Sequence, residues 1–148
     1  MPQIDFYILA DSSVNARHVF ACRLAEKAYQ RGHKVYVYTA SAPEAALMDE
    51  LLWTFRGGSF LPHCLFPAAE APCPPVLVGC SEGPDSHRDV LINLTQDVPP
   101  FFERFMRVVE PVDENEKNKQ AARERFRVYR DRGYPPETHK ITGPAPND

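Results

Sequence analysis

The feature that most constrains the fold is a strand, helix and strand pattern at the start of the chain. The stretch QIDFYILA (residues 3–10) is almost continuously apolar, as in a strand covered on both faces. Apolar residues then recur at helical spacing until Gly32, with Ser13 as the predicted N-cap. KVYVYT (residues 34–39) has the composition of a second strand. The pattern predicts a right-handed βαβ unit with a parallel strand pair.

The same alternation continues along the chain. A helix is predicted over Pro43 to Arg56, and residues 57–84, with six prolines and four glycines, are predicted to be mostly irregular around a short strand at Val76 to Gly79. RDVLINLT (88–95) and RVVEPV (107–112) are predicted strands, the latter the last one, and a short helix precedes it. A long helix from about Glu114 to Arg132 follows.

These elements predict one α/β domain over residues 1–134, with a mainly parallel central sheet flanked by helices. Residues 135–148 are predicted to be a Pro-rich, poorly ordered tail. A composition of 43% hydrophobic and 25% charged residues is that of an ordinary globular protein. The apolar runs are too short to cross a membrane and the N-terminus does not resemble a signal peptide, so we expect a cytoplasmic protein.

Motifs of nucleotide binding and catalysis are missing where this fold would place them. The turn after the first strand, ADSSVNAR, has no glycine that would let a pyrophosphate approach the backbone. Asp11 and Ser12 in that turn are better explained by helix capping than by a pocket. The sequence also lacks a GxxxxGK[ST] loop and a GxSxG elbow, and its four cysteines form no CxxC pair. We therefore expect a Rossmann-like fold without a phosphate loop, with no catalytic residues, metal or cofactor.

One tryptophan is predicted to face solvent. In the helix from Pro43, a single arc holds the core-facing residues Met48, Leu51, Leu52 and Phe55, and Trp53 falls outside it. Exposed tryptophans often anchor protein interfaces, and Phe60 could extend the same patch. The alternative is that the Pro-rich loop covers Trp53.

The C-terminal helix combines positive charge with an aromatic side chain. Residues 117–132 hold seven cations and two acidic residues, a net charge of +5 in a chain of net charge −3. At 3.6 residues per turn, Phe126 lies beside one face that carries Lys119, Arg123, Arg127 and Arg130. Three interpretations remain open, namely a solvated surface, a site for an acidic peptide with an apolar end, and a site for single-stranded nucleic acid. The acidic remainder of the chain favours the peptide over a phosphate backbone.

The chain also resembles the chi subunit of bacterial DNA polymerase III. The resemblance rests on DFYIL, LLWTFRGGSFLPH, RDVLINL and KQAARERFRVYRDRGY, in that order and spacing, and extends to about Tyr134. The family is non-catalytic; any nucleotidyltransferase activity belongs to the polymerase holoenzyme. Its members bind the psi subunit, which links them to the clamp loader, and the acidic C-terminal tail of single-stranded-DNA-binding protein.

The resemblance implies two sites on this chain. The tail-binding site would comprise Lys119, Arg123, Phe126, Arg127 and Arg130, with Val112 and Tyr134 as pocket walls. Trp53 and Phe60 would bind psi, or a helicase that competes with psi, and no direct contact with DNA is expected. The family pattern has tyrosine at position 126 and lysine at position 127, so this chain keeps an aromatic ring and a cation at these positions but lacks the tyrosine hydroxyl.

Overall fold

A seven-stranded sheet flanked by helices forms the body of the protein. The computed structural model describes residues 2–10, 13, 15–55, 61–66, 73–83 and 85–141. The strands are β1 (Gln3–Leu9), β2 (Val35–Tyr38), β3 (His63–Leu65), β4 (Val76–Gly79), β5 (Val90–Asn93), β6 (Arg107–Val112) and β7 (Glu137–Ile141). The helices are α1 (Ala16–Gln30), α2 (Ala42–Thr54) and α3 (Glu116–Asp131), with a 3-10 turn at Phe102–Arg104.

The spatial order of the strands is β3-β4-β2-β5-β6-β1-β7, and every strand pair in the described chain is parallel. This confirms the predicted α/β fold with a mainly parallel sheet. The prediction that β1 and β2 form a pair is wrong, because β5 and β6 lie between them. Parallel crossovers can skip strands, and the local sequence does not encode which strands are inserted later.

The helices cover the two faces of the sheet separately. Side chains of α1 and α2 share one apolar core with β2, β4 and β5, and this core includes Phe20, Met48 and Val37. Side chains of α3 and the 3-10 turn form the second core with β1, and Phe6, Phe102 and Tyr129 belong to it. Because both faces are covered, β2, β4 and β5 are nearly continuous in apolar residues, as buried parallel strands require.

Local hydrogen bonds set the helix ends. α2 begins with a capping box in which the Glu44 N–H donates to Ser41 Oγ and the Ala40 N–H donates to the Glu44 carboxylate. α1 begins after Asn15, which occupies the N-cap position, so the prediction that Ser13 caps this helix is wrong. α1 ends as predicted at Gly32, whose φ of 84° is the left-handed conformation that glycine adopts at low cost.

The end of the chain departs most from expectation. β6 is not the last strand, because β7 adds to the sheet edge beside β1 with its register starting at Asp5 opposite Glu137. Five residues of the expected tail therefore belong to the sheet, and the predicted boundary at residue 134 does not coincide with the end of the fold. β3 was likewise not predicted, because three residues inside a Pro-rich segment carry too little pattern.

Candidate functional site

α3 presents two very different faces. Its N-cap is Asn115, whose side chain accepts a hydrogen bond from the Asn118 N–H at 3.0 Å. Ala122, Arg125 and Tyr129 are buried against the sheet. The neighbouring face carries the predicted cations, which we call the cationic stripe: Lys119, Arg123, Arg127 and Arg130. From the sequence, Arg125 is only one of the seven cations of residues 117–132, but it is 4% exposed and its guanidinium attaches the helix to Glu110 of the sheet.

A buried polar network surrounds Glu110 of β6, which is fully enclosed. The carboxylate of Glu110 accepts hydrogen bonds from Arg125 Nε at 2.9 Å, Tyr129 Oη at 2.6 Å and Asn93 Nδ2 at 2.9 Å. Burial raises the pKa of Glu110, while Arg125 and the hydroxyl and amide donors oppose that rise. Two of the three donors, Arg125 and Tyr129, belong to α3, so the network attaches this helix to β6.

A groove lies between α3 and the sheet, with a volume of about 340 Å³. We call it the α3 groove, and its lining consists of Phe6, Ile8, Val112, Lys119, Ala122, Arg123, Phe126 and Thr138. Its floor is apolar and its rim on the α3 side carries two cations. An apolar concavity with a few charged groups at the edge is the usual form of a small ligand site.

Four of the seven predicted tail-binding residues line the α3 groove, namely Val112, Lys119, Arg123 and Phe126. Val112 is 2% exposed and is the last residue of β6. Phe126 is half-buried, with its ring centroid 5.4 Å from that of Phe6. Together these side chains provide an aromatic and aliphatic surface next to positive charge.

The two cations of the groove, Lys119 and Arg123, differ in whether they form an ion pair within the described chain. The Lys119 ammonium lies 3.8 Å from the carboxylate of Glu116, which is one turn earlier in the helix. An ion pair at the surface such as this one contributes little stability. Arg123 is exposed and has no ion pair within the part of the chain that the structure describes. Its guanidinium is thus available to donate two parallel hydrogen bonds to a carboxylate.

The other three predicted residues do not line the groove. Arg127 donates to the Glu124 carboxylate at 3.0 Å, and Arg130 lies 3.3 Å from Asp131. Tyr134 packs edge-on against Phe102 with ring centroids 5.2 Å apart, and its hydroxyl donates to Glu103. The cationic stripe therefore has two parts. Lys119 and Arg123 lie at the groove, whereas Arg127 and Arg130 lie further along the helix and form ion pairs with acidic neighbours.

Thr138 of β7 is a wall of the groove that sequence reasoning missed. The strand ETHKI is short, follows two prolines and has only one strongly apolar residue, so it does not show the periodicity of a buried strand.

The second predicted site centres on Trp53. Trp53 is 56% exposed, which confirms its predicted solvent-facing position, so the alternative of a buried Trp53 is wrong. Its ring lies 4.7 Å from that of His63, which is buried and held by the carbonyl oxygens of Leu61 and Asp49 at 2.7 and 3.2 Å. Phe60, the predicted partner of Trp53, lies outside the described residues.

A cluster at the other face of β7 contains groups that could ligate a metal: Asp5, Glu137 and His139. Asp5 is almost fully buried and already accepts hydrogen bonds from Arg107 Nε at 2.8 Å and His139 Nε2 at 2.9 Å. Burial alone would raise the pKa of Asp5, but these hydrogen bonds outweigh it and hold the pKa below its usual range. Asp5 is therefore ion-paired with Arg107 of β6, and its hydrogen bond with His139 attaches β7 to β1.

The four cysteines are free thiols, and burial raises the pKa of Cys22 to about 12, which makes that thiol unreactive. Among the described residues, none of the helices is both long and apolar enough to span a membrane.

The fold and the groove define a class, an α/β domain with an all-parallel sheet covered by helices on both faces and a groove between α3 and the sheet that is apolar inside and cationic at its rim. The profile of a family described as DNA polymerase III chi subunit, HolC, matches residues 1–137. The chain therefore belongs to the DNA polymerase III chi subunit family.

Named relatives agree with this assignment. The DNA polymerase III subunit chi of Pseudomonas aeruginosa is 45% identical over 141 residues, covering 95% of this chain and 98% of the relative. The proteins of the same name from Haemophilus influenzae and Escherichia coli are 31% and 30% identical, covering 92% and 90% of this chain and 95% of each relative. Family membership supports an accessory role in DNA replication, within a polymerase complex.

Proposed function

We propose that this chain is a non-catalytic, cytoplasmic accessory subunit of the DNA polymerase III holoenzyme, and that it joins two partners. One partner is the acidic C-terminal tail of single-stranded-DNA-binding protein, bound in the α3 groove. The other is the psi subunit, bound around Trp53, which would link the chain to the clamp loader. The observation that carries the proposal is the position of Arg123, an exposed cation without a described ion pair at the rim of an apolar groove.

The chemistry of the α3 groove matches a peptide that ends in acidic residues and an apolar side chain. The apolar side chain would pack between Phe126 and Val112, where its burial removes hydrocarbon surface from water. The neighbouring carboxylates would pair with Arg123 and Lys119 at the rim. A groove of about 340 Å³ accommodates one large side chain and a short stretch of backbone.

A nucleic-acid strand fits the same surface less well. Single strands are bound by a continuous run of cations with exposed aromatic faces. Here Arg127 and Arg130 pair with Glu124 and Asp131, Arg125 is buried, and Phe126 is packed against Phe6. Direct binding of single-stranded DNA is therefore the alternative that the experiment must exclude.

Trp53 supports the second contact surface. Tryptophan is enriched among the few residues that dominate binding energy, and Trp53, a residue that is 56% exposed, leaves a large area for a partner to cover. Its contact with buried His63 holds the ring in place before binding, which reduces the entropy cost of association. A helicase that competes with psi would use the same surface. With two separate sites, the subunit would concentrate the polymerase assembly at protein-coated single strands.

The test of the tail site is calorimetry with an acidic peptide that ends in Asp-Phe. Arg123→Ala should weaken binding roughly ten- to hundredfold, since a hydrogen bond to a charged group contributes about 1.5–3 kcal/mol. Arg88→Ala is the matched control, because Arg88 is also exposed, its loss changes the net charge equally, and it lies outside the groove. Unchanged affinity in Arg123→Ala would refute the site, and tight binding of a labelled oligonucleotide to the isolated protein would favour the nucleic-acid alternative.

The test of the Trp53 site is retention of purified psi on the immobilised chain. Trp53→Ala should lose psi and keep the acidic peptide, whereas Arg123→Ala should keep psi and lose the peptide. If both variants lost the same partner, the division into two sites would be wrong.

A further inference from the structure

A second groove lies on the face of the sheet opposite α3, between α1 and the strands β1 and β6. It has two adjacent lobes, with volumes of about 150 and 260 Å³, and we call it the α1 groove. The residues that line both lobes are Leu24, Lys27, Arg31 and Arg107. Tyr7 and Ile141 line only the first lobe, and His33 and Met106 line only the second.

Two cations of α1 give this groove a positive charge. Lys27 and Arg31 are four residues apart, so they lie on the same side of the helix about one turn from each other. Neither of them forms an ion pair with any residue that the structure describes. The acidic residues of the lining do not compensate this charge, since Glu26 is buried and Asp89 accepts a hydrogen bond from the Lys34 N–H at 2.8 Å.

Stabilisation of the helix end does not account for the whole arrangement. Cations near the C-terminus of a helix interact favourably with its dipole, which applies to Lys27 and Arg31. Arg107, however, belongs to β6 and lines the same two lobes. Its Nε donates to Asp5 at 2.8 Å and an amino group donates to the Tyr7 hydroxyl, so the guanidinium is held in place. The groove thus collects cations from a helix and from a strand.

An exposed methionine lies at one end of the α1 groove. Met106 is 71% exposed, more than any other large apolar residue that the structure describes. Its backbone is nevertheless fixed, because its N–H donates to the Arg88 carbonyl oxygen and its carbonyl oxygen accepts from the Gln3 N–H, both at 2.9 Å. Methionine and arginine are enriched at protein interfaces, and the flexible thioether side chain adapts to different partners.

These features suit an amphipathic helix of a protein partner better than a nucleic-acid strand. Single strands are bound by cations together with exposed aromatic faces, but the Tyr7 ring is packed against His139 and Phe20 at centroid distances of 4.8 and 5.2 Å. A partner helix with acidic residues four positions apart would match the spacing of Lys27 and Arg31. Apolar side chains of the same helix would enter the two lobes.

We propose that the α1 groove is a docking surface for an acidic amphipathic helix of a protein partner. Lys27 and Arg31 bind its carboxylates, and Met106 packs against its apolar side. The groove and α3 lie on opposite faces of the sheet, so both sites can be occupied at once. The inference does not rest on the proposed function, since it uses neither the α3 groove nor Trp53.

The first experiment measures binding of an acidic helical peptide by fluorescence anisotropy. The probe consists of two repeats of Leu-Glu-Glu-Leu-Ala-Glu-Glu, labelled at its N-terminus and amidated at its C-terminus. Lys27→Glu with Arg31→Glu should weaken binding at least tenfold, because two attractive contacts become repulsive. The matched control is Lys117→Glu with Arg130→Glu, which reverses an exposed lysine and an exposed arginine on α3 and should leave affinity within twofold of the wild type.

The second experiment tests the apolar contact and does not depend on the end of α1. Met106→Ala should weaken binding of the same probe about three- to tenfold, because the side chain would lose the apolar surface that it buries against the partner. Its melting temperature should equal that of the wild type, since the side chain is largely exposed in the free protein. Val128→Ala is the matched control, because Val128 is an exposed apolar residue of α3, and it should keep wild-type affinity.

The outcomes distinguish this inference from its alternatives and from the proposed function. A wild-type protein that does not bind the probe would overturn the inference, and so would equal losses in the two double variants, which would show an effect of net charge. Loss of the probe in Arg123→Ala would place the peptide in the α3 groove instead. A labelled strand of 12 thymidines that bound more tightly than the probe, and lost its binding in Lys27→Glu with Arg31→Glu, would assign the groove to nucleic acid. The proposed function would stand in each case, because its own test is binding of the peptide ending in Asp-Phe.

Discussion

Replacing Arg125 with alanine should destabilise the protein far more than replacing any other arginine of α3. The Arg125 guanidinium is 5% exposed and donates to the Glu110 carboxylate at 2.9 Å and to the Gln96 carbonyl oxygen at 3.1 Å. Without it, the Glu110 carboxylate stays fully buried with only Tyr129 and Asn93 as donors. Breaking a buried ion pair by removing one partner costs about 3–5 kcal/mol.

That loss is large compared with the total stability of a domain, which is about 5–15 kcal/mol. In a chain of this size, 1 kcal/mol lowers the melting temperature by about 2–4 °C, so the variant should melt roughly 6–20 °C below the wild type. Urea unfolding followed by circular dichroism measures the free energy directly, provided that the m value stays constant.

Arg123→Ala is the matched control, since it removes the same side chain two residues away from an exposed position and should change stability by about 0.5 kcal/mol or less. The double variant Glu110→Leu with Arg125→Met should recover much of the loss, because an apolar pair leaves no buried charge. If Arg125→Ala unfolded within 1 kcal/mol of Arg123→Ala, the assignment of Arg125 as the anchor of α3 would be refuted.

Two further predictions concern the sheet. Because the pKa of folded Asp5 lies below its unfolded value, ionised Asp5 stabilises the fold above that unfolded value, near pH 4, and this contribution is lost as the pH falls through the folded pKa. Asp5→Asn should therefore lose less stability than the wild type between pH 5 and pH 3 in urea titrations, and equal losses would show that Asp5 has no such role. Gly79→Ala should destabilise the protein by about 1–3 kcal/mol, since its Cβ would lie 2.6 Å from the Tyr36 hydroxyl and 2.9 Å from the Phe66 carbonyl oxygen. A melting temperature equal to that of the wild type would contradict this close packing.

The parts of the fold that the sequence predicted are those with local periodicity. The apolar runs of β1, β2, β4 and β5 each identify a buried strand without further information. The helical arc of α2 also placed Trp53 correctly, because one turn of a helix fixes which side chains face the sheet. The order of strands was not predictable in this way, since insertion of β5 and β6 between β1 and β2 depends on contacts distant in sequence.

The candidate site was predictable to the extent that it depends on α3 alone. Spacing on the helix brought Lys119, Arg123 and Phe126 together, and the groove includes all three. The buried position of Arg125 was not predicted, because the residue has the same charge as its exposed neighbours on the helix. A signal was present in RVVEPV, where Glu110 interrupts an apolar strand and, once buried, requires a partner. Thr138 could not be assigned, because its strand has no apolar pattern and gains its position only from pairing with β1.

Because β7 pairs with β1 and Thr138 lines the α3 groove, this groove is complete only when residues 137–141 have joined the sheet. The outer edge of β1 is paired only by residues 137–141. This pairing closes a long loop, since Asp5 and His139, which are joined by a hydrogen bond, are 134 residues apart in sequence. Contacts of such long sequence separation form late and slowly. A nascent or truncated chain would thus carry the cations of α3 without the strand opposite them. If the groove is the peptide site proposed above, it would then bind its ligand only after β7 has joined the sheet.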